Sequence, residues 1–211
     1  MNLNMLRILV TGFEPFGGAT VNPASLAVQK LKTTVRGEVQ IVTREIPTVF
    51  GKSAKAVHDA ILELSPQAVI SVGQAGGTPG IRVERVALNL DDARIPDNEG
   101  NCPVDSPIDP VGPVAYWATI PVREVVDAIA KQGIPAFISY NAGTFVCNHV
   151  FYSTCNFAAK QDIPVKVGFI HVPYLPCQAV GKGETPSMSL ECIVTALEAA
   201  VEVVAESIVS D

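Results

Sequence analysis

Short runs of aliphatic and β-branched residues recur along the whole chain, with helical amphipathic stretches between them, and this alternation constrains the fold more than any other feature. Leu6 to Thr11, Val39 to Ile46, Ala68 to Val72, residues 81 to 90, Ala136 to Tyr140 and Val165 to Val172 read as strands. Helices are expected over about Gly51 to Leu64, from Pro121 to near Gly133, over Thr144 to Lys160, and from Ser187 to about Val209. Asn22-Pro23 reads as an N-cap followed by proline at the first helical position, opening a helix through Leu26 and Leu31. Residues 91 to 119 are rich in Pro, Asp and Asn and are expected to be a long loop, which in a compact domain serves a function or an interface. Within it, the stretch 103–119 with Tyr116 and Trp117 is the interface candidate. Strands alternating with helices predict a three-layer α/β/α sandwich around a largely parallel (mixed) twisted sheet. The active site is then expected at the carboxyl ends of strands.

Length and composition narrow the classes. At 211 residues the chain supports one substantial core, so 1–211 reads as a single α/β domain. With 48% apolar and 17% charged residues it is not a disordered chain. A net charge of -6 with no basic stripe argues against phosphate-backbone binding. No run of about 18 apolar residues marks a membrane span, and the apolar run within Met1 to Thr11 is too short for a signal peptide. The five cysteines (Cys102, Cys147, Cys155, Cys177 and Cys192) are odd in number and widely spread, with no C-x-x-C pair. A disulfide framework or a zinc site is not expected, and reduced thiols in a cytoplasm are.

The densest chemistry lies in the segment from Ile138 to His149. A strand runs into a small-residue turn, the turn opens a helix, and Cys147 falls in the helix's first turn. Unpaired N–H groups and the positive end of the helix dipole there favour a thiolate and can receive an oxyanion. The competing reading of Cys147 is a buried small apolar residue. Cys155, Cys192, Cys102 and Cys177 have weaker settings and read as structural or incidental.

Three histidines compete as the base. His58 sits on a predicted helix among charged residues and reads as a surface group. His149 is two positions from Cys147, and positions i and i+2 of a helix do not face each other. His171 ends the strand that follows the cysteine helix, so its carboxyl end can lie over Cys147. Glu84 is in phase with Val86, Leu88 and Leu90 if residues 81–90 form one strand, and a carboxylate on an apolar face requires a partner. His171 is one candidate for that partner. A salt bridge to Arg82 or Arg85 is the other.

Two loops also carry candidate binding residues. Gly12-Phe13-Glu14-Pro15-Phe16-Gly17-Gly18 does not fit G-x-G-x-x-G, and Pro15 removes an amide that phosphate would use. Phe13 and Phe16 on a stiff loop fit either a flat apolar slot or a loop packed by its own aromatics. Asp91 to Gly100 lacks the alternating ligands of a calcium loop, so its acids are expected to pair with Arg94 or meet solvent. Arg94 can polarise a substrate carbonyl or serve a structural ion pair.

Taken together, T-G-F-E-P-F-G-G at 11–18, V-N-P at 21–23, V-G-Q-A-G-G at 72–77, V-E-R-V-A-L-N at 83–89, D-D-A-R-I-P-D-N-E-G at 91–100, A-G-T-F-V-C-N-H at 142–149 and G-F-I-H-V-P-Y-L-P at 168–176 resemble the pyroglutamyl peptidase type I, or pyrrolidone carboxyl peptidase, family over nearly the whole chain. The resemblance implies a thiol hydrolase that removes N-terminal pyroglutamyl residues from peptides through a thioester. It implies Cys147, His171 and Glu84 as catalytic residues and Arg94 near the oxyanion. It implies Phe13 and Phe16 beside the pyroglutamyl ring, with Gln74 and Val146 among the pocket residues. It further implies no cofactor or metal, no nucleic-acid or membrane partner, and a homodimer or homotetramer. Tyr140-Asn141 departs from the expected Asn followed by Ser or Thr, and Cys177 stands where an acidic or polar residue is frequent. A nucleoside-phosphorylase-like transferase and a catalytically silent α/β ligand-binding module are the rival readings. The first lacks a visible phosphate cradle, and the second would be favoured by loss of a catalytic residue.

Overall fold

The first strand pairs on both sides within a seven-stranded sheet, and its neighbours define the architecture. The computed structural model describes residues 5–35 and 38–210. The opening residues 1–4 of the stretch considered for targeting lie outside it. The strands are β1 (Leu6–Phe13), β2 (Thr34–Val35), β3 (Val39–Ile46), β4 (Ala68–Gln74), β5 (Ile81–Glu84), β6 (Val86–Leu88), β7 (Ala115–Trp117), β8 (Ala136–Ser139) and β9 (Lys166–Val172). The helices are α1 (Pro23–Val28), α2 (Lys52–Leu64), α3 (Val122–Lys131), α4 (Val146–Lys160), α5 (Pro176–Ala179) and α6 (Leu190–Val209).

The main sheet has the order β2-β3-β1-β4-β9-β5-β8, and β6 and β7 pair in a small separate ribbon. Strands β3, β1, β4 and β9 are mutually parallel. β5 runs antiparallel to β9, and β8 is parallel to β5. The cause lies in loop length. Residues 75–80 are too few for the crossover that a parallel successor to β4 would need, so the chain turns back and β9 later inserts between the two. The sheet is therefore mixed, with side chains buried on both faces. Ile8, Val10, Ile70, Val72, Ile81, Val83 and Ile170 pack under α1, α3 and α6. Leu9, Phe13, Val69, Val167 and Phe169 face α2 and α4 on the other side.

Several sequence expectations change in the structure. Residues 81–90 are not one strand. The chain leaves the main sheet at Arg85, whose N–H donates to the Ser139 carbonyl at 2.7 Å while its own carbonyl accepts from Ala118 N–H at 2.9 Å. Glu84 thus shares its face with Arg82, not with Val86, Leu88 and Leu90, and it is fully buried. The predicted loop 91–119 contains β7, which covers β6. α1 opens as expected, with the Asn22 side chain accepting from Ala24 N–H at 3.0 Å, but it ends at Val28 and so stops short of Leu31. The short elements β2 and α5 carry too little periodicity to be read from sequence.

Candidate active site

α4 begins after a turn that is locked to the loop beneath it. Thr144 Oγ1 donates to the Asp92 carbonyl at 2.7 Å, and Asp92 N–H donates to the Thr144 carbonyl at 2.9 Å. Asn141 Oδ1 accepts from Gly143 N–H at 2.8 Å, and Gly143 adopts a φ of 81°, which glycine reaches without strain. With Thr144 engaged elsewhere and Phe145 at the N-cap, no side chain caps the first turn. Its N–H groups keep their capacity for an anion, and Cys147 sits among them, partly exposed.

His171 is the penultimate residue of β9 and is 6% exposed. Its Nδ1 is 2.9 Å from Oε1 of Glu84, which is fully buried. In the antiparallel register Arg82 lies opposite His171 and Glu84 opposite Phe169, so Glu84 and His171 are diagonal neighbours on one face. Nδ1 is therefore committed to Glu84, and the other ring nitrogen is left for Cys147, which lines the same cleft. Burial alone would hold the imidazole neutral. The charge and hydrogen bond of Cys147, then those of Glu84, outweigh burial and raise its pKa to about 9. The sulfur and the carboxylate on either side of the ring thus favour its protonated form.

The competing residues are occupied otherwise. Arg82 Nε donates to Thr78 Oγ1 at 3.0 Å, and Arg85 Nε and Nη2 are buried without a hydrogen-bond partner among the described residues, so neither arginine bridges Glu84. His149 Nδ1 lies 2.8 Å from Asp91 Oδ2, and its Nε2 accepts from Gly51 N–H at 3.1 Å, which uses both nitrogens. His58 is not a surface group as expected. Its ring stacks on Phe157 at 4.2 Å and contacts the Ser153 carbonyl, and burial lowers its pKa. Burial pushes the Cys155 thiol up to about 12.

Cys147 and His171 open onto a cleft of about 550 Å³. Phe13, Phe16, Gln74 and Arg94 line it, with Asn141, Phe145 and Tyr174. Phe13 packs on Phe169 and Phe16 on Phe145, so both also stiffen the loop they stand on. Gln74 Oε1 accepts from Gln178 Nε2 at 2.9 Å, which leaves its amide N–H₂ for another partner. Val146 is the exception: its side chain is fully buried in the core beneath α4 and does not line the cleft. One residue before the nucleophile on a helix points inward, and Phe145 lines the cleft in its place. The acids of the 91–100 loop do not pair with Arg94, but Asp92 and Glu99 do meet solvent, the latter 2.6 Å from Lys52 Nζ. Asp91 serves His149, and Asp97 accepts the N–H groups of Phe50, Glu99 and Asn101. Burial opposes the Asp97 charge, but these bonds and the Asn101 side chain hold its pKa below the ordinary value.

A family model described as pyroglutamyl peptidase matches residues 6–207. The chain belongs to the pyroglutamyl peptidase family. It is 51% identical over 201 residues to the pyrrolidone-carboxylate peptidase of Thermoanaerobacter sp. (strain X514), covering 95% of this chain and 98% of that one. It is 50% identical to that of Bacillus cereus (strain G9842), covering 94% and 93%. Among solved structures it resembles pyroglutamyl peptidase I of Bacillus amyloliquefaciens with a TM-score of 0.92 and 47% identity, over 95% of this chain and 97% of that one. A mutant pyrrolidone carboxyl peptidase from Pyrococcus furiosus matches with a TM-score of 0.92 at 42% identity, over 96% and 100%.

Within this pyroglutamyl peptidase fold, the two departures noted in the sequence fall on the surface. Tyr140 is 63% exposed and Cys177 is exposed, whereas Asn141 makes the turn bond described above. Two contributors escaped the sequence reading. Asn148 is fully buried, accepts from Leu88 N–H at 2.9 Å, and donates to the Leu88 and Leu90 carbonyls at 2.9 and 3.0 Å. It pins α4 to the segment that continues from Glu84. Removing its amide would leave buried backbone groups unpaired at about 1–3 kcal/mol each. Gly73 is opposite His171 in the β4–β9 register, and a Cβ there would stand 2.8 Å from Cys147 Sγ and 3.0 Å from the Phe169 ring. A glycine inside a buried strand was the available signal. Gly73→Ala is expected to displace the sulfur and lower kcat about 10²-fold in a folded protein. Turnover within twofold of wild type would show that the sulfur does not need this space.

Proposed function

We propose that Cys147, His171 and Glu84 carry out the reaction of this family, hydrolysis of the amide bond after an N-terminal pyroglutamyl residue. The protein is a pyroglutamyl peptide hydrolase, and the observation that supports these residues is the buried Glu84–His171 pair at 2.9 Å beside a cysteine in an uncapped helix turn. Cys147 thiolate attacks the pyroglutamyl carbonyl carbon. First-turn N–H groups of α4, with Arg94 on the loop clasped to Thr144, receive the oxyanion. His171 gives its proton to the leaving nitrogen as the C–N bond breaks, which leaves a thioester. The neutral imidazole then takes a proton from water, the hydroxide attacks the thioester, and release of pyroglutamate restores the thiolate–imidazolium pair. Glu84 holds the ring orientation throughout.

Phe13 and Phe16 are assigned to the flat faces of the pyroglutamyl ring and Gln74 to its lactam. A site that bonds the lactam should reject the prolyl analogue by on the order of 10⁴ in kcat/KM. Chromogenic pyroglutamyl and prolyl amides measured side by side test this, and comparable turnover of the two would sink the pocket assignment. Residues 1–211 are read as one domain. Action in a cytoplasm, without a cofactor, fits the free thiols of Cys102, Cys177 and Cys192, all exposed. Assembly as a homodimer or homotetramer fits the exposure of Trp117 (66%), Val111 and Val114, although Tyr116 turns inward to Asn156.

A further inference from the structure

The sheet order lays out the cleft as a sequence of stations. Phe13 ends β1 and Gln74 ends β4; Cys147 Sγ stands over Gly73 of β4; His171 follows on β9, and Arg82 on β5 comes next. With the ring slot at the β1–β4 end and the sulfur over β4, the leaving nitrogen falls at His171. The peptide beyond it then runs onto β5, one strand spacing of about 4.8 Å further. Arg82 is the residue it meets there.

Arg82 is exposed, lines the cleft, and is held in place by its Nε–H bond to Thr78 Oγ1. Thr78 is itself buried and anchored to the Gly80 carbonyl at 3.1 Å. The two terminal guanidinium nitrogens have no acidic partner among the described residues, in a chain whose net charge is -6. Arg94 lines the same cleft. Asp92 is the one acidic side chain among the lining residues, and its Oδ1 accepts from Asp105 N–H at 3.3 Å. The cleft wall at Arg82 is therefore cationic and preset for an anion.

We propose that Arg82 selects the leaving group, favouring peptides that carry a carboxylate on the residue following pyroglutamate, whether as an acidic side chain or as a free C-terminus. This rests on the pyroglutamyl peptidase reading of the site. Because the contact is the same before and in the transition state, it acts mainly on KM.

The test compares kcat and KM for four substrates: pyroglutamyl-Glu-amide, pyroglutamyl-Lys-amide, pyroglutamyl-Ala with a free carboxylate, and pyroglutamyl-Ala-amide. Each is run with wild type, Arg82→Gln and Arg82→Lys, following the released amine. The expected wild-type preference for the Glu over the Lys amide is about tenfold in kcat/KM. It should shrink to about twofold in Arg82→Gln, recover in part in Arg82→Lys, and weaken as salt is raised. Preference for Glu-amide over Ala-amide assigns the effect to the side chain, and for Ala over Ala-amide to the terminus. Equal rates on the Glu and Lys amides together with equal rates on pyroglutamyl-Ala and its amide, or a preference that survives Arg82→Gln, would overturn the proposal and leave the peptidase reading intact. A wild type that cleaves none of the four would overturn both.

Discussion

Cys147→Ala should abolish release of a chromophore from a pyroglutamyl amide, a loss on the order of 10⁶ in kcat if the cysteine forms the acyl-enzyme. The substitution removes one sulfur atom from a partly exposed position and leaves the turn bonds of Asn141 and Thr144 in place, so the variant should fold. It also removes the largest upward influence on His171, whose pKa should then drop below its wild-type value of about 9. Histidine titration by NMR reads that shift independently of activity. A folded Cys147→Ala retaining even a few per cent of wild-type turnover would show that another group attacks the carbonyl. Iodoacetamide should inactivate the wild type, with substrate protecting it. A folded wild type with no activity would leave the fold standing and direct attention to Tyr140-Asn141 in the nucleophile turn.

Glu84→Gln is expected to lower kcat by about 10²–10⁴-fold and to lower stability at pH values below about 9, where the His171 pair is intact. The activity loss follows from the loss of the charge that holds the imidazolium and its tautomer. The stability expectation follows from burial: Glu84 is wholly enclosed and its Oε2 has no hydrogen-bond partner among the described residues. Removing that charge relieves its own desolvation but leaves the buried His171 cation without its counter-ion, which outweighs the gain. The pH profile separates this from a structural role. His171 is raised to about 9 in the wild type, so the cationic pair is intact below that pH and is lost as pH rises through it. The basic limb of kcat/KM should fall near pH 9 and move to lower pH in Glu84→Gln, because one of the groups that raise the His171 pKa loses its charge. Thermal unfolding and a pH–rate series on the two proteins decide the matter. An unmoved basic limb together with a lowered melting temperature would reduce Glu84 to a structural group.

The alternation of apolar runs and amphipathic stretches determined the three layers, and strand–turn–helix punctuation around Gly143 determined that Cys147 would sit in a first helical turn. Those are local properties, set by side-chain periodicity and by the conformations that Gly, Pro and Asn favour. The sequence by itself left the partner of Glu84 open between His171 and two arginines. Only the antiparallel register of β5 against β9 decided it, because a carboxylate 87 positions from its histidine is matched by strand pairing and not by any pattern along the chain. The reversal of β5, the detour of residues 85–88 into a second ribbon, the inward turn of Val146, the space kept by Gly73 and the place of Arg82 beyond His171 all depend on which strands end up adjacent. That outcome is a property of the packed molecule, since close packing and satisfaction of buried polar groups are settled between elements distant in sequence.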